Sequence, residues 1–176
     1  MNAIVKETQA AQPASPSRRA ESLASRSKKA LTAWLLLPKG FSESEWRTPV
    51  SGSDRRSVGA VVHHVAAVYP AEIDVARTIA SSKPVTGVTW EVVSELNAKH
   101  ARDHAALSKA DTLELLRRNS REAATAVRAF TDEELDRAAP FSLSFGAPMT
   151  AQFVIEDHAL RHSWHHLARI RKALGR

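Results

Sequence analysis

The sequence predicts an all-α protein built as a four-helix bundle. Three observations carry that reading. Apolar residues recur with helical spacing through several long segments. Helix-starting and helix-stopping residues bound those segments. The one stretch that reads as extended, PFSLSFGAPMT, is short. Long helices with connections of unequal length fit a bundle naturally.

Residues 1–17 are rich in Ala, Gln, Ser and Pro with little to bury, which predicts a disordered arm. Residues 18–176 then form a single domain. The first helix is expected over Arg18 to Leu37, stopped by Pro38-Lys39-Gly40. A loop with Pro49, Gly52 and Asp54 follows. The second helix runs from near Ser57 to Ala80, and Pro70 inside it should kink or split it, because proline removes a backbone donor. SSKPVTGVT is a turn-rich connection. A third helix is expected over Thr89 to Leu107 and a fourth over Lys109 to Phe130. Thr131 followed by Glu134 makes a capping box. PFSLSFGAPMT supplies two short extended pieces or an irregular crossover, and Met149 or Thr150 opens the last helix, which runs almost to the C-terminus.

At 176 residues the chain is long enough for a real hydrophobic core. It has no cysteine, which excludes disulfides, thiolate metal ligands and a cysteine nucleophile. The most apolar stretch, LTAWLLLP, is too short to span a bilayer, and the first residues lack the pattern of a secretory signal, so no membrane partner and a cytoplasmic location are expected. The formal charge is +6, but residues 1–30 hold six Lys/Arg against two Glu and so carry +4 of it. The tail RIRKALGR supplies most of the rest. Basic ends on a nearly balanced middle are solubilising, and no helix-turn-helix or stacking pattern accompanies them, so no nucleic-acid partner is expected.

Chemistry concentrates in the eight histidines. His158, His162, His165 and His166 crowd the last helix. With about 100° of turn per residue, Phe153, Leu160, Trp164, Leu167, Ile170 and Leu174 define its apolar face. His162 and His166 border that face near Ile155, whereas His158 and His165 point outward. On the second helix Val58, Val61, Val65, Val68, Val75 and Ile79 make the apolar stripe. His64 borders it, and His63 is rotated away as a surface histidine. His162 and His166 are one turn apart, a spacing that lets two imidazoles grip one ion. The same residues equally suit half-buried, hydrogen-bonded histidines. His100 and His104 repeat the spacing on the third helix, on a face with Val93, Leu96, Asn97 and Leu107. They read as partly buried polar groups under the N-terminal arm, as substrate contacts, or as a rival metal pair. Glu72, within the stripe of the second helix, needs a partner: it could orient a ligand histidine, act as a base, or pair with an arginine.

From about Ala30 onward the chain resembles the DinB-like superfamily of bacterial four-helix proteins. That group includes thiol-dependent S-transferases and the metal-binding domain of mycothiol-dependent maleylpyruvate isomerase. The resemblance rests on Ser57-Val58 leading to His64, on Glu-Leu-Asn-Ala in the third helix, on the Pro-Phe segment, and on His162-Ser163-Trp164-His165-His166-Leu167-Ala168-Arg169-Ile170. It implies a metal held by His64, His162 and His166. Many relatives carry glutamine where Arg169 stands, outside that ligand set.

Three neutral imidazoles leave open coordination positions, which suits chemistry rather than structure alone. The resemblance therefore implies a divalent-metal-dependent enzyme, of thiol S-transferase or hydrolase type, acting on a small-molecule substrate. Zn, Ni or Fe would suit imidazole ligands. A thiol reaction would need an external low-molecular-weight thiol, since the chain has none. No catalytic residue is singled out. The rival expectation is a non-catalytic metal or small-ligand binding protein of stress response, and a third is a structural bundle that has lost its metal. A homodimer is expected from the habit of such bundles to pair through helix faces.

Overall fold

The helices expected from sequence reappear in the computed structural model, which describes residues 17–52, 54–104 and 106–176. Apart from Ser17, the predicted arm lies outside the described residues. Helix α1 is Arg18–Lys39, α2 Glu43–Arg47, α3 Val58–Ala80, α4 Trp90–Asp103, α5 Lys109–Arg128 and α6 Asp132–Asp136. The last helix has three parts: α7 (Ala151–Val154), a π-helical segment (Ile155–Arg161) and α8 (His162–Ala173). Between α6 and α7, strands β1 (Ala138–Pro140) and β2 (Pro148–Thr150) pair antiparallel, with Ala139 opposite Met149.

The bundle consists of α1, α3, α5 and the last helix. Both α1 and α3 pack against α5 on one side and against the last helix on the other. Trp34, Val61, Leu116, Leu167 and Ile170 meet in the core and are fully buried. Helix α4 departs from the expectation. It buries no residue, and Leu96, assigned to a buried-looking face, is 60% exposed. The helical period of that segment is real, but its apolar side chains are too few to win a place in the core, so α4 rides outside against α3.

Capping fixes most of the starts. Ser57 accepts from the Ala60 amide at the head of α3, Ser108 caps α5 and Thr150 caps α7. The expected box at Thr131 and Glu134 forms. A second box, Ser42 with Glu45, opens α2 inside the stretch read from sequence as loop. Trp46 of α2 then lies over α3 at Gly59, so closely that a Cβ there would stand 2.4 Å from Trp46 Nε1.

Pro70 does not split α3: one helix spans Val58–Ala80. Proline deprives the Ala66 carbonyl of its helical donor. Asn119 of α5 replaces it, donating Nδ2–H to that carbonyl at 2.9 Å from a buried position. A tertiary contact has thus repaired a local break.

Candidate metal centre

Helix α3 carries His64 among fully buried valines, Val61, Val62 and Val65, and only 5% of His64 is exposed. The capped start of α3 fixes its rotation about its axis. The last helix brings His162 and His166 to the same place, with His166 also 5% exposed and His162 half-buried. His162 Nε2 lies 3.3 Å from His64 Nε2 and 3.0 Å from His166 Nε2. The structure therefore brings together the three histidines expected to act in concert.

One nitrogen facing two others at these distances is an unusual hydrogen-bonding arrangement, since each imidazole nitrogen offers one proton or one lone pair. Three lone pairs around one divalent ion fit it well. Zinc–imidazole bonds of about 2.0–2.1 Å imply about 3.3 Å between ligand nitrogens in a tetrahedral site. The donor set, three imidazoles with no thiolate, suits a borderline divalent ion.

The surroundings orient these rings. Glu72 Oε1 stands 3.0 Å from His162 Nδ1, close but poorly aligned for a hydrogen bond. Of the roles open to Glu72, the structure gives it that of a partner to a histidine. Burial pushes the Glu72 carboxyl above the usual range, and His162 opposes the shift. Below it in α3, the buried Tyr69 hydroxyl is 2.7 Å from Ser163 Oγ, which itself donates to the Ala159 carbonyl at 2.9 Å. Since the serine proton is engaged, Tyr69 donates. This contact pins α3 to α8 one residue from His162.

Burial, reinforced by repulsion from His162, depresses the His64 pKa to about 3 and that of His166 to about 2. Both rings are therefore neutral near pH 7, the form in which imidazole binds metal. Asp54 also lies nearby. Its carboxylate accepts from Arg56 at 2.9 and 2.7 Å and is 3.0 Å from Arg169 Nη2, and the Arg56 hydrogen bonds bring its pKa to about 2. Arg169 is thus paired, while the Arg56 Nη1 atom is buried without a hydrogen-bond partner.

Several expectations need correction. His63 is not a free surface residue. It is half-buried, with Nδ1 2.8 Å from His100 Nε2 and its ring stacked on His104 at 4.3 Å. His158 turns inward to meet the Phe141 ring edge-on at 5.4 Å, whereas His165 is exposed as expected. Phe153 and Trp164, assigned to the apolar face, are 44% and 41% exposed. The π-helical segment explains the slip. The buried pair Val154 and Ile155 is followed by Ala159 and Leu160, five residues on, so uniform winding misplaces the face. Asp54 with Arg56, and Tyr69 with Ser163, were missed. Asp54 was visible only as a loop acid, and a buried tyrosine–serine pair has no signature in spacing.

A bundle of four helices with a three-histidine cluster between two of them defines the class of protein. The sequence model of the DinB superfamily matches residues 26–170, and the chain belongs to that family. Among solved structures it is similar to YfiT from Bacillus subtilis, described as a probable metal-dependent hydrolase with an unusual four-helix bundle topology. The two share 18% identity with a TM-score of 0.70, over 93% of this chain and 91% of the other, which establishes the common fold. No curated protein matches the chain. Among the described residues, no helix is long and apolar enough to cross a membrane.

Proposed function

We propose that this chain is a divalent-metal-dependent enzyme acting on small molecules, with the ion held by His64, His162 and His166. The observation that carries the reading is the meeting of three Nε2 atoms at 3.0 and 3.3 Å. A Zn, Ni or Fe ion held there would act as a Lewis acid on a substrate oxygen and would lower the pKa of a water or thiol beside it. The description of YfiT as a metal-dependent hydrolase favours hydrolysis, and thiol S-transfer with an external low-molecular-weight thiol is the related alternative.

The chain's own residues supply orientation and charge. Glu72 sets the His162 ring, and Tyr69 holds α8 against α3. The Arg56 guanidinium places positive charge beside His64 and His166, offset by Asp54 at His64. That charge, together with the unpartnered Arg56 Nη1, favours a substrate bearing a carboxylate or similar anion.

The test incubates metal-loaded protein with a panel of esters and amides, anionic and neutral, with and without added thiols. Turnover of an anionic member, abolished in His162→Ala together with about one equivalent of bound metal, is the expected result. Unchanged metal content in His162→Ala overturns the site. Full metal binding with no turnover leaves a non-catalytic metal-binding protein.

A further inference from the structure

Beside the first cluster stands another that the proposed enzyme does not use. His63 of α3 meets His100 and His104, at the C-terminal end of α4, with one ring nitrogen from each lying within 4.8 Å of the others. The His63 and His100 rings are 5.0 Å apart, and His104 stacks on both at 4.3 and 4.4 Å. We propose that His63, His100 and His104 form a second divalent-metal site, more open to solvent than the first and adjacent to it.

Hydrogen bonding already arranges His104 as a ligand. His104 Nδ1 is 3.0 Å from the His100 backbone carbonyl, which can only accept. His104 therefore carries its proton on Nδ1 and presents Nε2 as a lone pair. His63 Nδ1 and His100 Nε2 are 2.8 Å apart, while His100 Nδ1 is buried without a hydrogen-bond partner. Of that close pair one nitrogen carries the proton and the other a lone pair, and a bound cation would take the place of the shared proton. A carbonyl fixing the far nitrogen of an imidazole is the usual way a ligand histidine is held.

Core packing does not account for the gathering. Helix α4 buries no residue, so its histidines do not reach α3 by being drawn into the core. Stacked imidazoles clustered at the contact between two helices gain more from a shared cation than from one another. The donor set lacks carboxylate and thiolate, which points to Zn²⁺, Ni²⁺ or Co²⁺ rather than Mg²⁺ or Ca²⁺. Ligand nitrogens wider apart than about 3.3 Å would close on the ion by side-chain rotation, which the loosely packed α4 permits. The two sites are neighbours: the His64 and His100 rings meet edge-on at 5.5 Å. An ion on this trio would also clamp α4 to α3.

The experiment strips the full chain with a chelator and titrates it with Zn²⁺ or Ni²⁺ at pH 8. Elemental analysis after desalting and hydrogen exchange of α4 are the two readouts. The wild type is expected to bind about two equivalents. His104→Ala and His100→Gln each retain about one, as does His162→Ala. Metal slows amide exchange across α4 in the wild type and in His162→Ala, but not in His104→Ala. One equivalent in the wild type, lost in His162→Ala and kept in His104→Ala, overturns the second site and leaves the first intact. Full retention of two equivalents in His104→Ala overturns it as well. Metal lost in His104→Ala but unchanged in His162→Ala supports the second site while rejecting the first.

Discussion

Asn119 reaches from α5 to the Ala66 carbonyl of α3 at 2.9 Å, the carbonyl that Pro70 leaves without its helical donor. Removing the amide leaves a buried acceptor unpaired, at a cost of about 1–3 kcal/mol. Asn119→Leu is therefore expected to lower the urea midpoint without changing the slope. An unchanged midpoint would mean that the carbonyl finds another donor.

Gly59 lies under the Trp46 ring, which is 4% exposed and has little room to retreat. Gly59→Ala inserts a methyl group where the indole sits. The expected cost is about 1–3 kcal/mol, with a red shift of tryptophan emission as α2 lifts. Unaltered emission and stability would show that α2 yields freely.

Glu72→Gln keeps the volume beside His162 and deletes the charge. Loss of a carboxylate partner to a ligand histidine weakens metal binding by about 10–100-fold. Competition against a chelator measures this directly. The fold should persist, because the change also removes the desolvation cost of a buried carboxyl. Undiminished affinity would reduce Glu72 to a packing residue.

The metal-free protein should lose stability as pH falls from 7 to 5. His64 and His166 titrate near 6.5 when unfolded but at about 3 and about 2 when folded. Above pH 6.5 neither state is protonated and the two contribute no slope. Below it, the unfolded chain takes up protons that the folded chain refuses, and stability drops until the folded values are reached. Each residue contributes at most about 1.4 kcal/mol per pH unit. His64→Gln should flatten the profile of denaturant midpoint against pH, and a wild-type profile already flat would contradict the burial of these rings.

Much of this was legible in the chain. Caps at Ser57, Thr131 and Thr150 are local events, and they set helix boundaries that survived intact. The choice of His64 over His63 as the buried residue followed from the valine stripe of α3, and His162 and His166 keep their one-turn spacing because both follow the π-helical segment. What stayed hidden depends on contacts between distant residues. Pro70 looked like a break because Asn119, far along the chain, supplies the remedy. Phe153 and Trp164 looked buried because the extra residue in the last helix leaves no mark on composition. His63 looked free because its partners sit on α4, whose position outside the bundle no periodicity announces.

The π-helical segment Ile155–Arg161 ends where the His162 amide reaches back to the Asp157 carbonyl. The wider turn there absorbs one extra residue, so deleting a single residue would restore ordinary winding and leave everything beyond it facing much as before. Ala151 and Val154 would keep their seats, and His162 and His166 would still face His64. A further residue ahead of His162, with no second wide turn to absorb it, would instead swing both histidines away by about 100°.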